Sequence, residues 1–531
     1  MAQKINLGPA TEHLRLVEQS PRVASQQPLL FFPLLSDHYE LLKERLQRIL
    51  DSNLVPRVYK RALIEPFYQV LEENDESWLE GELGKKGTQI QNIVGAIIQN
   101  FDPDFEGKAP RANTEAFREV VSDLYQSFIQ ESSEGALAPL PHWTEEDLTT
   151  CSFPNSDLGV DISLLNLPSR YATGTPIAWG YLCREVAGRD ILKSYDGALK
   201  ELKNRVHQAM NRNKLAALDP YWIQWFEEGV ADILGVLNMG PAAAFSLIGF
   251  LRAQSDELRL SSICYVNDKH SIDLVRGYIV AETLKMIMTE QQRAKYVDQV
   301  MEELERDAKD VSHLKWDVVM LGDVKKLPEL LRGFYTKSKQ DPPSSMDHVC
   351  QARELIGNPR WKDEFVEFLA SKKISQTKKA AANQKTTCSI GKENSFADFK
   401  KSVNVFVQTV VKSQLQALNG LSLLELRSWN EEDERISSVF RMLLQIPSGL
   451  DPAATYKSGF SASHIVSAAV MESITVQGEG VVQDKFPAIF ARMVEMLQTM
   501  HKTNPDWQIT KELAWSTAST EEDLLGDENS S

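Results

Sequence analysis

Residues 225–244, WFEEGVADILGVLNMGPAAA, carry the pattern that decides how the centre of this chain folds. Advancing by about 100° per residue sorts this stretch and the residues before it into two helix faces. One face is a continuous apolar stripe that belongs in a core: Trp222, Ile223, Phe226, Val230, Ile233, Leu234 and Leu237. The opposite face holds Glu228 and Asp232 one turn apart. Trp225 flanks the two carboxylates on one side, and small residues such as Gly235 flank them on the other.

These surroundings predict a buried pair of carboxylates rather than a solvated helix face. Small residues beside Glu228 and Asp232 let a second element approach closely, so we expect the helix to be covered on both sides. Buried carboxylates need a cation, hydrogen-bond donors or shifted pKa values. Two interpretations are open at this point. The pair is either a metal or acid–base site, or a structural pair bonded to a neighbouring arginine or to backbone amides.

The spacing Glu228-x-x-x-Asp232 resembles the third-ligand motif of gluzincin metallopeptidases, in which the glutamate binds zinc and the aspartate supports a ligand histidine. Farther along, Gly240-Pro241-Ala242 and then His270 and Arg276 resemble a group of uncharacterised bacterial zincin-like domains. The resemblance covers roughly residues 170–290. It implies a zincin-like central domain in which Glu228 and Asp232 are the remnant of a metal site and His270 and Arg276 line it.

The diagnostic half of the gluzincin signature is absent. His-Glu-x-x-His supplies two zinc ligands and the general base, but none of the nine histidines has another histidine four residues away. One remnant lies on a helix that Thr175-Pro176 is predicted to open, where Trp179 and Cys183 would occupy the two histidine positions and Gly180 the position of the base. The other begins at His207, which its helix would turn towards solvent. The resemblance therefore implies a catalytically inactive site, also lined by Trp179, Cys183 and Trp225.

The composition is that of an ordinary globular protein. A length of 531 residues suggests two to four domains. No run of 18 apolar residues predicts a membrane span, and the N-terminus lacks the apolar core of a secretion signal. Five scattered cysteines without a Cys-x-x-Cys pair favour a reducing cytoplasm. The net charge of −16 repels polyanions, which favours protein partners over nucleic acid.

Apolar residues at three- and four-residue spacing predict helices through most of the chain. We therefore expect a mainly α, multi-domain helical protein with a zincin-like central domain and a separate helical C-terminal domain. The predicted organisation is an N-terminal helical region at 1–150, a zincin-like domain at 151–370, a flexible linker at 371–395, a C-terminal helical domain at 396–515 and an acidic disordered tail at 516–531. The linker is assigned because its Lys, Ser, Thr and Gln residues offer little apolar surface to bury.

One further motif could carry chemistry. Residues 459–464, GFSASH, resemble a nucleophile elbow only loosely, because the final glycine is missing and no strand precedes the serine. Ser461 is more simply the N-cap of the helix that follows, and we interpret His464 as a surface or capping residue.

Two functional hypotheses follow. The first is a non-catalytic interaction or regulatory protein, built on an inactive metallopeptidase-like scaffold and binding no cofactor. Its linker at 371–395 would be a target for a partner protease, whose cut would free the C-terminal domain. This outline resembles the protein substrate of CRISPR-associated caspase-like proteases, which implies a role in prokaryotic defence. The second hypothesis is an atypical metal-dependent hydrolase that uses Glu228 and Asp232, with zinc as its cofactor.

Overall fold

A computed structural model describes most of the chain, and its described residues are mainly helical. The described part runs from residue 4 to residue 504, except for 20–38, 53–54, 106–110, 127–137, 145–149, 153–157, 161, 190–191, 193–194, 196, 266–267, 269, 324–326, 339–350, 353–354, 356–358, 372–386, 446–460 and 477–484. The predicted acidic tail at 516–531 therefore lies outside the described residues. Within them, no helix is long and apolar enough to span a membrane.

The helices follow one another along the whole described chain. In the first half they are α1 (Gly8–Gln19), α2 (Tyr39–Asp51), α3 (Arg57–Tyr59), α4 (Glu65–Glu72), α5 (Glu76–Phe101), α6 (Arg111–Gln126), α7 (Pro176–Arg189), α8 (Ala198–Arg212), α9 (Asp219–Gln224), α10 (Phe226–Met239) and α11 (Pro241–Ala253). In the second half they are α12 (Asp273–Ile287), α13 (Glu290–Gln292), α14 (Asp298–Ala308), α15 (Leu327–Ser338), α16 (Pro359–Ser371), α17 (Phe396–Lys412), α18 (Leu423–Leu426), α19 (Glu431–Leu444), α20 (Ala462–Ile474) and α21 (Lys485–Thr503). Short π-helical turns occupy Lys60–Ile64 and Arg293–Val297, and 3₁₀ turns occupy Ser169–Tyr171, Ala216–Leu218 and Gln416–Leu418.

The described strands form two small mixed sheets. Their bounds are β1 (Leu140–Thr144), β2 (Thr150–Ser152), β3 (Leu164–Pro168), β4 (Ile263–Tyr265), β5 (His313–Asp323) and β6 (Thr387–Ser395). In the first sheet, β3 pairs parallel with β1 and antiparallel with β2. In the second, β5 pairs parallel with β4 and antiparallel with β6, with His313 opposite Ser395.

The chain divides into two compact units that are interleaved along the sequence. Unit 1 comprises residues 1–196, 234–254 and 425–531, and unit 2 comprises residues 197–233 and 255–424. The first sheet belongs to unit 1, where the helix–sheet core is built around Phe67, Ile97 and Leu140. The second sheet belongs to unit 2, whose helices α15 and α16 bury a cluster that includes Phe334 and Phe365.

The C-terminal part of the chain does not follow the organisation expected of a separate domain. Helix α17 packs against α8 and α12 in unit 2, whereas α20 and α21 pack against α7 and α6 in unit 1. The sequence could not reveal this, because apolar periodicity identifies the buried face of a helix but not the element that covers it.

The predicted linker at 371–395 needs a correction over its last third. Residues 372–386 lie outside the described residues, but residues 387–395 form strand β6 at the edge of the second sheet. Gly391 lies so close to β5 that an added Cβ would meet the Trp316 carbonyl oxygen at 3.0 Å. Lys392 donates to the buried Asp317 carboxylate at 3.2 Å. An edge strand pairs on one side only and tolerates polar residues, so a polar composition does not distinguish it from a linker.

Candidate functional site

Helix α10 carries Glu228 and Asp232 and is covered on both faces, as the sequence predicts. Both carboxylates are buried, with 5% and 1% of their surfaces exposed, and Glu227 is the one exposed residue of the helix. Gly229 permits a close approach, because an added Cβ would meet the ring of Phe406 at 2.8 Å. Two buried carboxylates one turn apart cannot remain unpaired, so their donors decide what the site is.

The pair Asp219-Pro220 predicts a helix start with Asp219 as the N-cap and Pro220 at the first helical position, and the structure differs from this prediction. Asp219 is the first residue of α9 rather than its N-cap, and its carboxylate accepts a hydrogen bond from the exposed His207 instead. The backbone leaves the helical conformation at Trp225, which separates α9 from α10. This interruption changes the register of the predicted stripe, and Ile223 is 38% exposed rather than buried.

The principal donor to the carboxylate pair is Arg276, a residue of helix α12. Its Nε donates to Asp232 Oδ2 and its Nη2 donates to Asp232 Oδ1, each at 2.9 Å. Its Nη1 lies 3.3 Å from Glu228 Oε1, so one guanidinium bridges both carboxylates. Arg276 is fully buried. A planar guanidinium with two parallel N–H groups matches a carboxylate in geometry and in charge, which makes this a strong charge-assisted pair.

Glu228 receives two further hydrogen bonds from the segment before α12. The His270 ring contributes Nδ1, 2.8 Å from Glu228 Oε1, and the backbone N–H of Ser271 donates to Glu228 Oε2 at 2.7 Å. An ionised carboxylate only accepts hydrogen bonds, so His270 Nδ1 carries the proton in this pair. His270 keeps 27% of its side chain exposed and is the part of the cluster that solvent reaches.

Aromatic residues of unit 2 pack around Tyr221, on the helix just before α10. Tyr221 is fully buried and makes edge-on contacts with Trp222, Trp316 and Phe399. Burial raises the pKa of the Tyr221 hydroxyl well above its usual value, so this group stays neutral. Trp225 is half-buried, and its indole N–H has no acceptor within the described part of the chain.

The remaining predicted site residues, Trp179 and Cys183, belong to unit 1. Trp179 packs against Phe117 and Phe490, and its indole N–H donates to the Tyr171 carbonyl at 2.9 Å. Burial raises the pKa of the Cys183 thiol, which keeps it protonated in the core of unit 1. Both side chains are core residues of unit 1, whereas Glu228, Asp232, Trp225, His270 and Arg276 lie in unit 2.

Gly180 explains why no general base can stand at the first remnant of the signature. A Cβ at this position would lie 2.1 Å from Ser246 Oγ and 3.0 Å from a methyl group of Val470. Not even an alanine fits between α7 and these neighbours without displacement. The helix that begins at Pro176, as predicted, therefore serves packing at the position where the gluzincin signature has its glutamate.

The cluster does not suit a zinc ion. Glu228 and Asp232 already accept from Arg276, whose positive charge lies where a dication would have to bind. A zinc hydrolase needs three protein ligands and a water position, and the described residues contain no group of three or more His, Cys, Asp and Glu side chains placed to hold a metal. Of the predicted set, only His270 combines a ligand atom with solvent access.

Sequence reasoning identified four of the five groups in this cluster by their residue type and missed the fifth. The Ser271 amide could not be found from sequence, because a backbone donor leaves no residue signature.

Comparisons with known proteins do not add a functional assignment. No protein-family model matches the chain, and neither the curated proteins nor the solved structures contain a match.

Proposed function

We propose that this protein acts by binding a protein partner, and that its central region is a zincin-like scaffold in which an arginine has replaced the metal. The observation that carries this proposal is the Arg276 guanidinium, which bridges Glu228 and Asp232 at 2.9–3.3 Å. The missing His-Glu-x-x-His signature supports it independently.

A zincin-like scaffold that has lost its zinc would need another positive charge to hold its carboxylates. Removal of the ion would leave two buried carboxylates without compensation, at a cost of several kcal/mol each. Arg276 supplies a permanent positive charge and donors in a fixed fork, so it can hold the two carboxylates without a cofactor. In this account Glu228 and Asp232 stabilise unit 2 and take no part in metal-dependent hydrolysis.

The charge of −16 favours protein partners over nucleic acid. A partner protease would have to cut between residues 372 and 386, because residues 387–395 are paired in the second sheet. The chain beyond the cut contributes β6 and α17 to unit 2 and α19, α20 and α21 to unit 1. We therefore propose that such a cut changes the surface that the protein presents, and that the two pieces stay associated.

A second candidate is the atypical metal-dependent hydrolase that uses Glu228 and Asp232. It is favoured by one contact, the pairing of Glu228 with the solvent-accessible His270 at 2.8 Å. Rotation of His270 could offer a metal two ligands, one from each residue.

Zinc titration by calorimetry separates the two candidates. Wild type is compared with Arg276→Gln, which removes the competing charge, and with His270→Gln, which removes the accessible ligand. The proposal expects no saturable zinc binding by wild type. Saturable binding that is lost in His270→Gln would support the hydrolase instead, and a peptidase assay on the zinc-loaded protein would follow.

A further inference from the structure

A second group of polar side chains lies in unit 1, at the start of α20. Ser461 Oγ lies 2.7 Å from His464 Nδ1, and His464 Nε2 lies 2.9 Å from Asp433 Oδ1. Ser461 is half-buried, whereas His464 and Asp433 are buried. His464 is thus a capping residue, as predicted from sequence, but it is not at the surface. A hydroxyl, an imidazole and a carboxylate in this order form the constellation of a serine nucleophile with its base and its orienting acid.

The protonation of the imidazole is decided by its neighbours. The backbone N–H of Ser461 donates to His464 Nδ1 at 3.2 Å, so Nδ1 is the nitrogen with the lone pair. The proton therefore sits on Nε2 and is donated to Asp433. This lone pair is shared between the Ser461 N–H at 3.2 Å and the Ser461 hydroxyl at 2.7 Å, and the hydroxyl also lies 2.8 Å from Ser463 Oγ. The shorter contact with the hydroxyl is the arrangement needed to accept its proton. Serine proteases use the two ring nitrogens the other way round, but the roles are the same.

Asp433 is held as an anion at the far end of this chain of contacts. Arg427 donates to both of its oxygens at 3.0 Å, and the Asn430 backbone N–H donates to Oδ2 at 2.8 Å. Burial raises the pKa of Asp433, but hydrogen bonds from His464 and Arg427 outweigh it and bring the pKa to about 2. A fixed carboxylate orients the imidazole and stabilises the positive charge that forms when it takes a proton.

The backbone N–H after Ser461 is placed to donate to the negative charge that forms on the substrate oxygen during acyl transfer. Ser461 is the N-cap of a helix of 13 residues. Of the first amides of this helix, that of Ser463 donates to Asp123 Oδ2 at 2.9 Å and that of His464 donates to the Ser461 carbonyl oxygen at 3.1 Å. Ala462 provides the N–H directly after the serine, which is the position that supplies an oxyanion donor in hydrolases with a nucleophile elbow. A capping box accounts for the contact between Ser461 and His464. It does not require the third partner, Asp433, or the arginine that fixes it.

We infer that Ser461 is an activated nucleophile and that Ser461, His464 and Asp433 form a site for acyl transfer from small esters. In the first step the Ser461 oxygen bonds to the acyl carbon, the bond to the leaving alkoxide breaks, and His464 carries the serine proton to the leaving oxygen. Water then attacks the acyl-serine with His464 as base, which releases the acid and restores the hydroxyl. This inference goes beyond the proposed function, which concerns unit 2 and would stand without it.

A fluorophosphonate probe on the full-length protein tests this directly, because it phosphonylates activated serines and leaves ordinary ones unmodified. We expect stoichiometric labelling, mapped to Ser461 by mass spectrometry. Ser461→Asn should abolish the label while keeping a good N-cap, so its loss cannot be attributed to unfolding of α20. His464→Gln should slow labelling by about 100-fold or more. Ser473→Ala, at the other end of the same helix, is the matched control and should label like wild type.

Hydrolysis of p-nitrophenyl acetate by the same variants provides the second readout. The inference expects a burst and turnover in wild type that fall together with labelling in Ser461→Asn. It is overturned by a natively folded wild type that does not label, or by a label on a different serine. Labelling at Ser461 that is unchanged in His464→Gln and Asp433→Asn would also overturn it, because the reactivity would then owe nothing to the triad.

Discussion

Replacement of Arg276 by methionine is the perturbation that probes the carboxylate cluster most sharply. The side chain is fully buried, donates twice to Asp232 at 2.9 Å and lies 3.3 Å from Glu228. Methionine fills a similar volume but leaves Asp232 without a charged donor. Removal of one partner of a buried ion pair costs about 3–5 kcal/mol, because the other charge stays buried and uncompensated. We therefore expect Arg276→Met to lower the free energy of unfolding of unit 2 by about 3–5 kcal/mol.

The assay is urea unfolding followed by tryptophan fluorescence, to which Trp222 and Trp316 of unit 2 contribute. At an m-value of about 2 kcal/mol/M, the expected loss lowers the midpoint of the unit 2 transition by roughly 2 M. Arg293→Met is the matched control in the same unit, since this arginine is exposed, and its midpoint should not move.

A second variant tells a lost ion pair from a packing defect. In Arg276→Met combined with Asp232→Leu, the charges of Arg276 and Asp232 are replaced by apolar groups, while Glu228 keeps its bonds from His270 and the Ser271 amide. Such replacements of buried pairs are often neutral or stabilising. We expect the double variant to recover most of the loss, with a coupling energy of at least about 2 kcal/mol. A single variant that loses less than about 1 kcal/mol, or a double variant no more stable than the single, would refute the role assigned to Arg276.

Three further predictions concern unit 1 and the connection between the pieces of the chain. Burial lowers the pKa of His142 to about 4 and, together with Arg118, that of His501 to about 3, against about 6.5 in the unfolded chain. The stability that each contributes is complete above pH 6.5 and declines as the pH falls towards the folded value, so urea unfolding should show a loss of about 2 kcal/mol per histidine at pH 5, reduced in His142→Gln. Gly180→Ala should cost about 1–3 kcal/mol in thermal unfolding, whereas Gly87→Ala, which meets nothing within 4 Å, should cost nothing. After a single cut between residues 372 and 386, the two pieces should co-elute in size-exclusion chromatography and separate only in denaturant, and free elution of the C-terminal piece would contradict the interleaved units.

The sequence predicted local structure well where a side-chain pattern determines it. The start of α7 at Pro176 and the double coverage of α10 are confirmed. Of the two interpretations of the carboxylate pair, the structure has the pairing with an arginine and a backbone amide. Arg276, the partner of Asp232, lies on α12, 44 residues farther along the chain. Apolar periodicity carries no information about which helices pack together. The sequence could therefore place Arg276 near the site, but it could not assign its role as the counter-charge.

The errors have physical causes of the same kind. Ile223 is exposed because the backbone turns at Trp225, and one irregular residue shifts every position before it by part of a turn. Strand β6 was predicted as part of a linker because its sequence is polar, and an edge strand tolerates such a composition. His464 looked like a surface residue because its partner Asp433 lies on another helix.

We propose that Arg276, and not a metal ion, neutralises Glu228 and Asp232. The most direct test is elemental analysis of the full-length protein, expressed with added zinc and then desalted, beside Glu228→Ala. We expect wild type and variant both to carry only trace zinc, and the variant to be folded but less stable. Near-stoichiometric zinc in the wild type that disappears in Glu228→Ala would contradict it.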